Sequence, residues 1–403
     1  MHILLIHQAF AALDEAGGTR HHEMARYLVR RGHRVTVIAS PVSYLSGVSS
    51  HARNRWRETQ IPEAGITILR TYTYSAFHRS FVHRVMSFFS FMVSSFINGL
   101  RVGQVDLVWG TSPPIFQGFT AWLLARLKGV PFLFEVRDLW PAFAIAVGVL
   151  RNPILVRASE GLERFLYRRA DRVVVNSPGY IQHVTERGAR WVELVPNGAD
   201  PGMFNIQASG QNFRRSLGIE DQFVLLYAGA HGLSNDLGVM LQAADLLREF
   251  KDICFVLVGD GKEKSRLKVA ADSLKLDNVH FVAPVAKNEI NSVLAAADAC
   301  LAILKPLDMY RTTYPNKVFD YMAAGKPVVL AIDGVIREVV ETAGAGVAVQ
   351  PGDAQALADA VRILASDPER TRAMGQAGRK AVEEKYHRAH FSQQFALLLE
   401  DMR

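Results

Sequence analysis

Residues 299–332 read ACLAILKPLDMYRTTYPNKVFDYMAAGKPVVLAI. ACLAIL (299–304) is an apolar run of strand length, and PVVLAI (327–332) is another. Between them a polar loop opens a helix at about Pro315, and Gly325 and Pro327 mark its end before the next strand. Strands that are apolar along their whole length, joined by a helix, are the pattern of a parallel sheet covered on both faces.

The same alternation runs outward in both directions. FVLLYAGA (223–230), ICFVLVGD (253–260), VHFVAP (279–284) and GVAVQ (346–350) complete the series in the second half. The first half repeats it with HILLIH (2–7), RVTVIA (34–39), ITILRTY (66–72), VDLVWG (105–110), PFLFEV (131–136), RVVVNS (172–177) and VELVPN (192–197). Helical segments fall between many of these runs, for example 19–31 and 114–128. The stretch 198–222 is rich in turn residues and holds no clear strand, so it reads as the linker. The expected fold is α/β, with two doubly wound parallel-sheet (Rossmann-like) domains.

Composition narrows the class. The chain has 403 residues, 49% hydrophobic and 21% charged, which excludes a disordered, collagen-like or disulfide-scaffold protein. Cys254 and Cys300 lie in apolar runs and read as buried thiols of a reducing compartment. The opening MHILLIHQAF has no basic region ahead of its apolar stretch, so no signal peptide is expected and the location read from it is cytoplasmic. The net charge of +7 is uneven: residues 1–200 carry 23 Lys/Arg against 14 Asp/Glu, and residues 201–403 carry 23 against 25. A basic half suits nucleic acid, an anionic membrane surface or an anionic substrate. Its cations are scattered and no nucleic-acid module is recognisable, so nucleic acid is not an expected partner.

Residues 77–101, FHRSFVHRVMSFFSFMVSSFINGLR, break the pattern. Their uncharged core, Val85 to Leu100, is shorter than the roughly 20 residues of a spanning helix. Two readings stand: a helix buried between strands, or one lying in a membrane interface. The second would insert Phe81, Phe88, Phe89, Phe91 and Phe96, with Arg79, Arg84 and Arg101 near headgroups.

Three motifs carry chemistry. Gly17-Gly18-Thr19-Arg20 leads into a helix, where free amides and the helix dipole favour an anion. No G-x-G-x-x-G is present, which argues against a nicotinamide or flavin site. Glu135-Val136-Arg137-Asp138-Leu139-Trp140-Pro141 follows a strand at its carboxyl end, where open α/β sheets bind ligands. There Asp138 could hold a hydroxyl or act as a base, and Trp140 could offer a face to a sugar ring. In the third motif, amides near Tyr314, Pro315, Asn316 and Lys317 would sit at a helix N-terminus suited to a diphosphate. Lys317 adds a cation there, and Asp320 stands where a carboxylate could take ribose hydroxyls. Gly229, His231 and Gly232 after one strand, and Gly259 and Lys262 after another, follow the same logic. No D-x-D triplet and no His/Asp/Glu spacing points to a metal.

At these residues the sequence resembles the retaining nucleotide-sugar glycosyltransferases of family four, with their two-domain GT-B architecture. The RDLWP segment and the YPNK…DYMAAGKP run resemble a bacterial subgroup making O-antigen and other surface polysaccharides, to which L-fucosamine transferase-like proteins belong. The resemblance implies two domains facing across a cleft: 1–200 for the acceptor and 201–385 for the nucleotide sugar, with 386–403 a C-terminal helix packing back on the first. It implies a hexosyl transfer from a UDP-sugar, an N-acetylamino sugar as the expected donor, with retention and without metal or other cofactor. The acceptor would be polyprenyl-diphosphate-linked or a glycan, at the cytoplasmic face of the inner membrane. Gly18, Asp138 and Lys317 would then be catalytic, with Gly17, Arg20, His21, Arg137 and Trp140 on the acceptor or sugar side. His21 and His22 otherwise read as solvated helix residues.

Two departures stand out. Thr312 occupies the position of the first Glu in the family's E-x7-E pattern, whose second Glu is Asp320 here. The Arg and Lys that usually clamp the diphosphate after the first glycine turn are absent from His231-Gly-Leu-Ser-Asn-Asp. These departures keep open a non-catalytic sugar-nucleotide-binding subunit. The shared architecture keeps open a sugar-nucleotide 2-epimerase.

Overall fold

The computed structural model describes residues 1–15, 17–42, 55–75 and 81–403. It divides into two compact units: residues 1–12, 18–196 and 389–403 form the first, residues 13–17 and 197–388 the second.

The first unit holds an eight-stranded sheet. Its strands are β1 (His2–Ile6), β2 (Arg34–Ala39), β3 (Arg57–Glu63), β4 (Ile66–Thr71), β5 (Leu107–Ser112), β6 (Phe132–Val136), β7 (Arg172–Val175) and β8 (Val192–Leu194). Their order is β3-β4-β2-β1-β5-β6-β7-β8, with every neighbouring pair parallel except β3–β4. The runs read as buried strands are buried: Ile3 to Ile6 and Leu133 to Phe134 have no exposed surface. β3 was not legible in the sequence. It is an antiparallel edge strand, RETQIPE, with most positions open to solvent, so nothing selects for an apolar face.

The second unit holds six strands: β9 (Phe223–Ala228), β10 (Ile253–Val258), β11 (Val279–Val282), β12 (Ala299–Ile303), β13 (Val328–Ala331) and β14 (Gly346–Ala348). They are parallel throughout, in the order β11-β10-β9-β12-β13-β14. Cys254 and Cys300 are free and fully buried, and burial pushes both thiols up to about 12. The stretch 198–222 holds no strand but does fold a helix, Gln211–Leu217.

The helix Arg388–Asp401 closes on the first unit. Phe395 is fully buried, its ring 4.6 Å from that of Trp109. No helix among the described residues is long and apolar enough to cross a membrane.

Candidate functional site

In an open parallel sheet, ligands bind where the strand order reverses, outside the carboxyl ends. In the first unit that point lies between β1 and β5. Three buried histidines gather around it. His7 follows β1, while His21 and His22 sit in the first turn of the helix Arg20–Arg30. The expectation that His21 and His22 are solvated fails, because this helix turns its first residues toward the sheet: they are 2% and 4% exposed.

Glu135, on β6, is the hub. Its carboxylate accepts from Arg20 Nε (3.2 Å), Trp109 Nε1 (3.1 Å) and His21 Nε2 (2.7 Å). Burial would raise its pKa, yet His21, Arg20 and Arg137 outweigh burial and hold it near 2. Burial takes His21 down to about 4 against the pull of Glu135, so at neutral pH the ring is a neutral donor. Arg20 then supplies the compensating charge, and its other nitrogens donate to the carbonyls of Val195 and Pro196, each at 2.8 Å. Arg20 and His21, candidates for sugar contact by sequence, are buried and held by these bonds within the unit.

Arg137 donates through Nη1 to His7 Nε2 at 2.9 Å. Neutral His7 must then carry its proton on Nδ1, which donates to Thr111 Oγ1 at 3.0 Å. Burial, with His21 and Arg137 beside it, keeps His7 well below the usual imidazole range. Sequence reasoning missed His7 by placing it inside a strand. Its signal was its position at the carboxyl end of β1. Next to Arg137, burial raises Asp138 to about 6 against the pull of that arginine. No hydrogen bond holds its carboxylate among the described residues. Trp140 is half-buried, 6.0 Å from the Phe116 ring. Gly17 takes a positive φ of 152°, and Gly18 faces open space where a side chain would project.

In the second unit the order reverses between β9 and β12. The loops after these strands are joined: Lys305 N donates to Ser234 O at 2.9 Å, and Tyr310 Oη donates to Ser234 Oγ. Gly229 (φ 147°) and Gly259 (φ 146°) pack backbone to backbone. A Cβ on Gly259 would lie 1.9 Å from the Gly229 carbonyl oxygen. His231 follows. Its main chain is held by Asp260 O and Glu263 N, and its ring is fully buried with neither nitrogen hydrogen-bonded. Burial, then Lys264 and Lys317, lower it to about 4.

The helix Asn316–Ala323 opens beside this turn. No backbone carbonyl among the described residues accepts from the amides of Asn316 and Lys317. The Lys317 ammonium sits 3.9 Å from the Tyr227 ring centroid and 2.9 Å from where a Gly229 side chain would begin. It has no carboxylate partner among the described residues, and burial brings its pKa down to about 7. Tyr314 lends its carbonyl to Asn197 Nδ2 at 2.6 Å, and the Asn316 side-chain oxygen is buried without a partner.

Other sequence candidates are placed differently. Asp320 is ion-paired with Lys287 at 2.6 Å, a lysine in an irregular loop that carried no periodic signal. Lys262 is exposed, and its neighbour Lys264 reaches the carbonyls of Gly259 and Val282 instead. Gly232 has room for a side chain, with Asn235 Nδ2 at 3.5 Å. Thr312 donates to Met309 O at 2.6 Å. No cluster of His, Cys, Asp and Glu among the described residues could hold a metal ion.

Comparison with known proteins agrees with this geometry. Residues 16–198 match the model of the glycosyl transferase 4-like domain, and residues 209–381 that of glycosyl transferases group 1. The Escherichia coli K12 protein named colanic acid biosynthesis glycosyl transferase WcaI is 26% identical over 353 residues, 84% of this chain and 86% of its own. Sucrose-phosphate synthase from Thermosynechococcus elongatus superposes with a TM-score of 0.77 at 20% identity, over 100% of this chain and 98% of that one. Anabaena HepE, solved with UDP-glucose, gives 0.75 at 18% identity over the whole of both chains. With each unit matched by its own model, the chain belongs to the group 1, family-four-like glycosyltransferases of GT-B fold.

Proposed function

We propose that this glycosyltransferase moves a sugar, an N-acetylamino hexose, from its UDP derivative to a lipid-linked or glycan acceptor in surface-polysaccharide synthesis. The observation that carries the reading is Lys317: a half-buried ammonium without a carboxylate among the described residues, set at a helix N-terminus against the Gly229 turn at the β9/β12 reversal. A desolvated cation and free amides around a glycine-lined space are what a diphosphate needs. The neutral His231 ring supplies one further N–H, and it takes the place of the missing Arg/Lys clamp. HepE, with UDP-glucose bound, supports the choice of UDP. The names of WcaI and of the Bacillus subtilis teichuronic acid biosynthesis glycosyltransferase TuaH support the polysaccharide context.

The reaction breaks the bond between the anomeric carbon and the diphosphate oxygen and forms one to an acceptor hydroxyl oxygen. In the retaining course the departing diphosphate leaves from the face the acceptor attacks and takes the hydroxyl proton. Lys317, His231 and the helix amides stabilise the charge on the leaving group, and no metal is needed. Asp138, ionised above pH 6, holds a sugar or acceptor hydroxyl. Thr312, in place of an acid, favours the second reading, a subunit that binds the donor without turnover; product formation from a UDP-sugar separates the two.

The test is calorimetric titration of the protein with UDP, GDP, ADP and dTDP without divalent metal. UDP is expected to bind most tightly, and Lys317→Ala to weaken it by about tenfold or more, the worth of a charge-assisted hydrogen bond. Unchanged affinity in Lys317→Ala, or no binding of any nucleotide, overturns the assignment.

A further inference from the structure

The helix Phe81–Arg101 buries several polar side chains and exposes a row of apolar ones. Its packed side sets small polar residues beside Phe91 and Gly99: Ser87, Ser94, Ser95 and Asn98 are fully or almost fully buried. Ser94 Oγ donates to Tyr72 O at 2.6 Å and Asn98 Nδ2 to Ser94 O at 2.9 Å. Gly99 lets the helix press on Leu124 of the helix Ile115–Lys128, where any Cβ would come within 2.5 Å. The opposite side is apolar. Val82, Met86, Phe89, Val93 and Leu100 are 45–63% exposed, at spacings of four, three, four and seven residues. A surface helix of a soluble protein has the reverse polarity. Phe91, one of the aromatics expected at a membrane, is buried inside, and Phe88 and Phe96 are half-buried. Arg79 lies outside the described residues.

Charge selects the occupant. Neither this helix nor Ile115–Lys128 contains an Asp or Glu, and Arg101 and Arg126 are exposed. The helix Pro153–Arg169 packs on Ile115–Lys128 through Phe165 and Trp122. It opens with exposed Ile154 and Leu155 beside exposed Arg151 and Arg157. Of its two acids, Glu163 is buried and paired with His183 and Arg187. An apolar stripe bordered by arginines and nearly free of carboxylates matches the boundary between acyl chains and anionic headgroups. The stripe also continues inward: Phe89 meets Phe116 at 5.1 Å, and Phe116 meets Trp140 beside Asp138.

We propose that the Val82–Leu100 stripe, with the arginines around it, seats the first unit on an anionic bilayer surface without crossing it. The reading is independent of the donor assignment, since its readout is partition and not transfer. Sedimentation of the full chain with vesicles of phosphatidylcholine containing about a third phosphatidylglycerol tests it. The protein is expected to pellet with these vesicles, much less with phosphatidylcholine alone, and to be released by high salt. The exposed triple variant Met86→Ser/Phe89→Ser/Val93→Ser should partition about tenfold less while keeping its UDP affinity and far-UV spectrum. Failure of the wild type to pellet, or equal pelleting of the variant, overturns the proposal. So does a dimer in sedimentation equilibrium that the same variant dissociates while vesicles are ignored, which would assign the stripe to a second copy.

Discussion

Lys317 and Asp138 both titrate near neutrality, and each therefore has a pH dependence whose sign can be worked out. The free Lys317 ammonium loses its proton around pH 7 because burial disfavours the charge. A bound diphosphate favours the charged form, so above pH 7 binding must take up a proton. UDP affinity is expected to fall about tenfold or more between pH 7.5 and 9, with proton uptake visible in buffers of different ionisation enthalpy. Lys317→Met should bind weakly and show no such slope; a wild-type affinity flat over that range would contradict the role. In its proposed role Asp138 must be ionised to accept from a hydroxyl, so transfer should fall as pH drops through about 6. Asp138→Asn is expected to lose about a hundredfold in kcat and to abolish this acid limb, measured as product formed against pH. Lys317 and Asp138 could be picked out as candidates in the sequence because each stands in a polar run directly after a strand or at a helix start. His7 and Lys287 were not: one sits at the end of an apolar run, the other in a loop without period, and only the folded chain gives them partners.

At the scale of elements, Glu135 fastens the helix Arg20–Arg30 to the sheet and, through Arg20, to the chain after β8. Glu135→Gln would leave the buried Arg20 guanidinium without its carboxylate, a loss of about 3–5 kcal/mol. Urea unfolding at pH 7 measures it, and a change under 1 kcal/mol would show that the carbonyls of Val195 and Pro196 suffice. The pH sign follows from two groups lowered on folding. Glu135 stabilises above the ordinary carboxylate range and loses that contribution as pH falls toward 2. His21, lowered to about 4, resists the proton that the unfolded chain takes up, so stability is also lost as pH falls from 6.5 to 4. Gly259 is the other fastening point. Its positive φ and the Gly229 carbonyl leave no room for a methyl group, so Gly259→Ala should destabilise the second unit by about 2–4 kcal/mol and abolish UDP binding. The buried strands were legible because both of their faces are covered and their hydrophobicity is continuous. β3 was hidden because no position of Arg57–Glu63 is fully buried and its half-covered positions are Glu58, Gln60 and Glu63, which are polar.

For the whole molecule, two alternating strand–helix series were enough to give two doubly wound sheets, since parallel strands need long crossovers and those crossovers must cover both faces. What no local pattern could give is the path of the chain, which leaves the first unit after Pro196 and returns to it at Ala389. The returning helix Arg388–Asp401 seats Phe395 against Trp109, whose indole N–H is held by Glu135. The last helix in sequence is therefore part of the first unit's core. Phe395→Ala is expected to destabilise that unit by about 3–5 kcal/mol. At the proposed donor site, whose residues all lie in the second unit, UDP would stabilise that unit by about 2.7 kcal/mol at a hundred times its Kd. If the two units unfold separately, scanning calorimetry separates these effects. Phe395→Ala lowers one transition and UDP raises the other, and each leaves its counterpart in place. A single transition moved by both perturbations would show instead that the two units melt as one, and that the returning helix couples them energetically as well as through the chain.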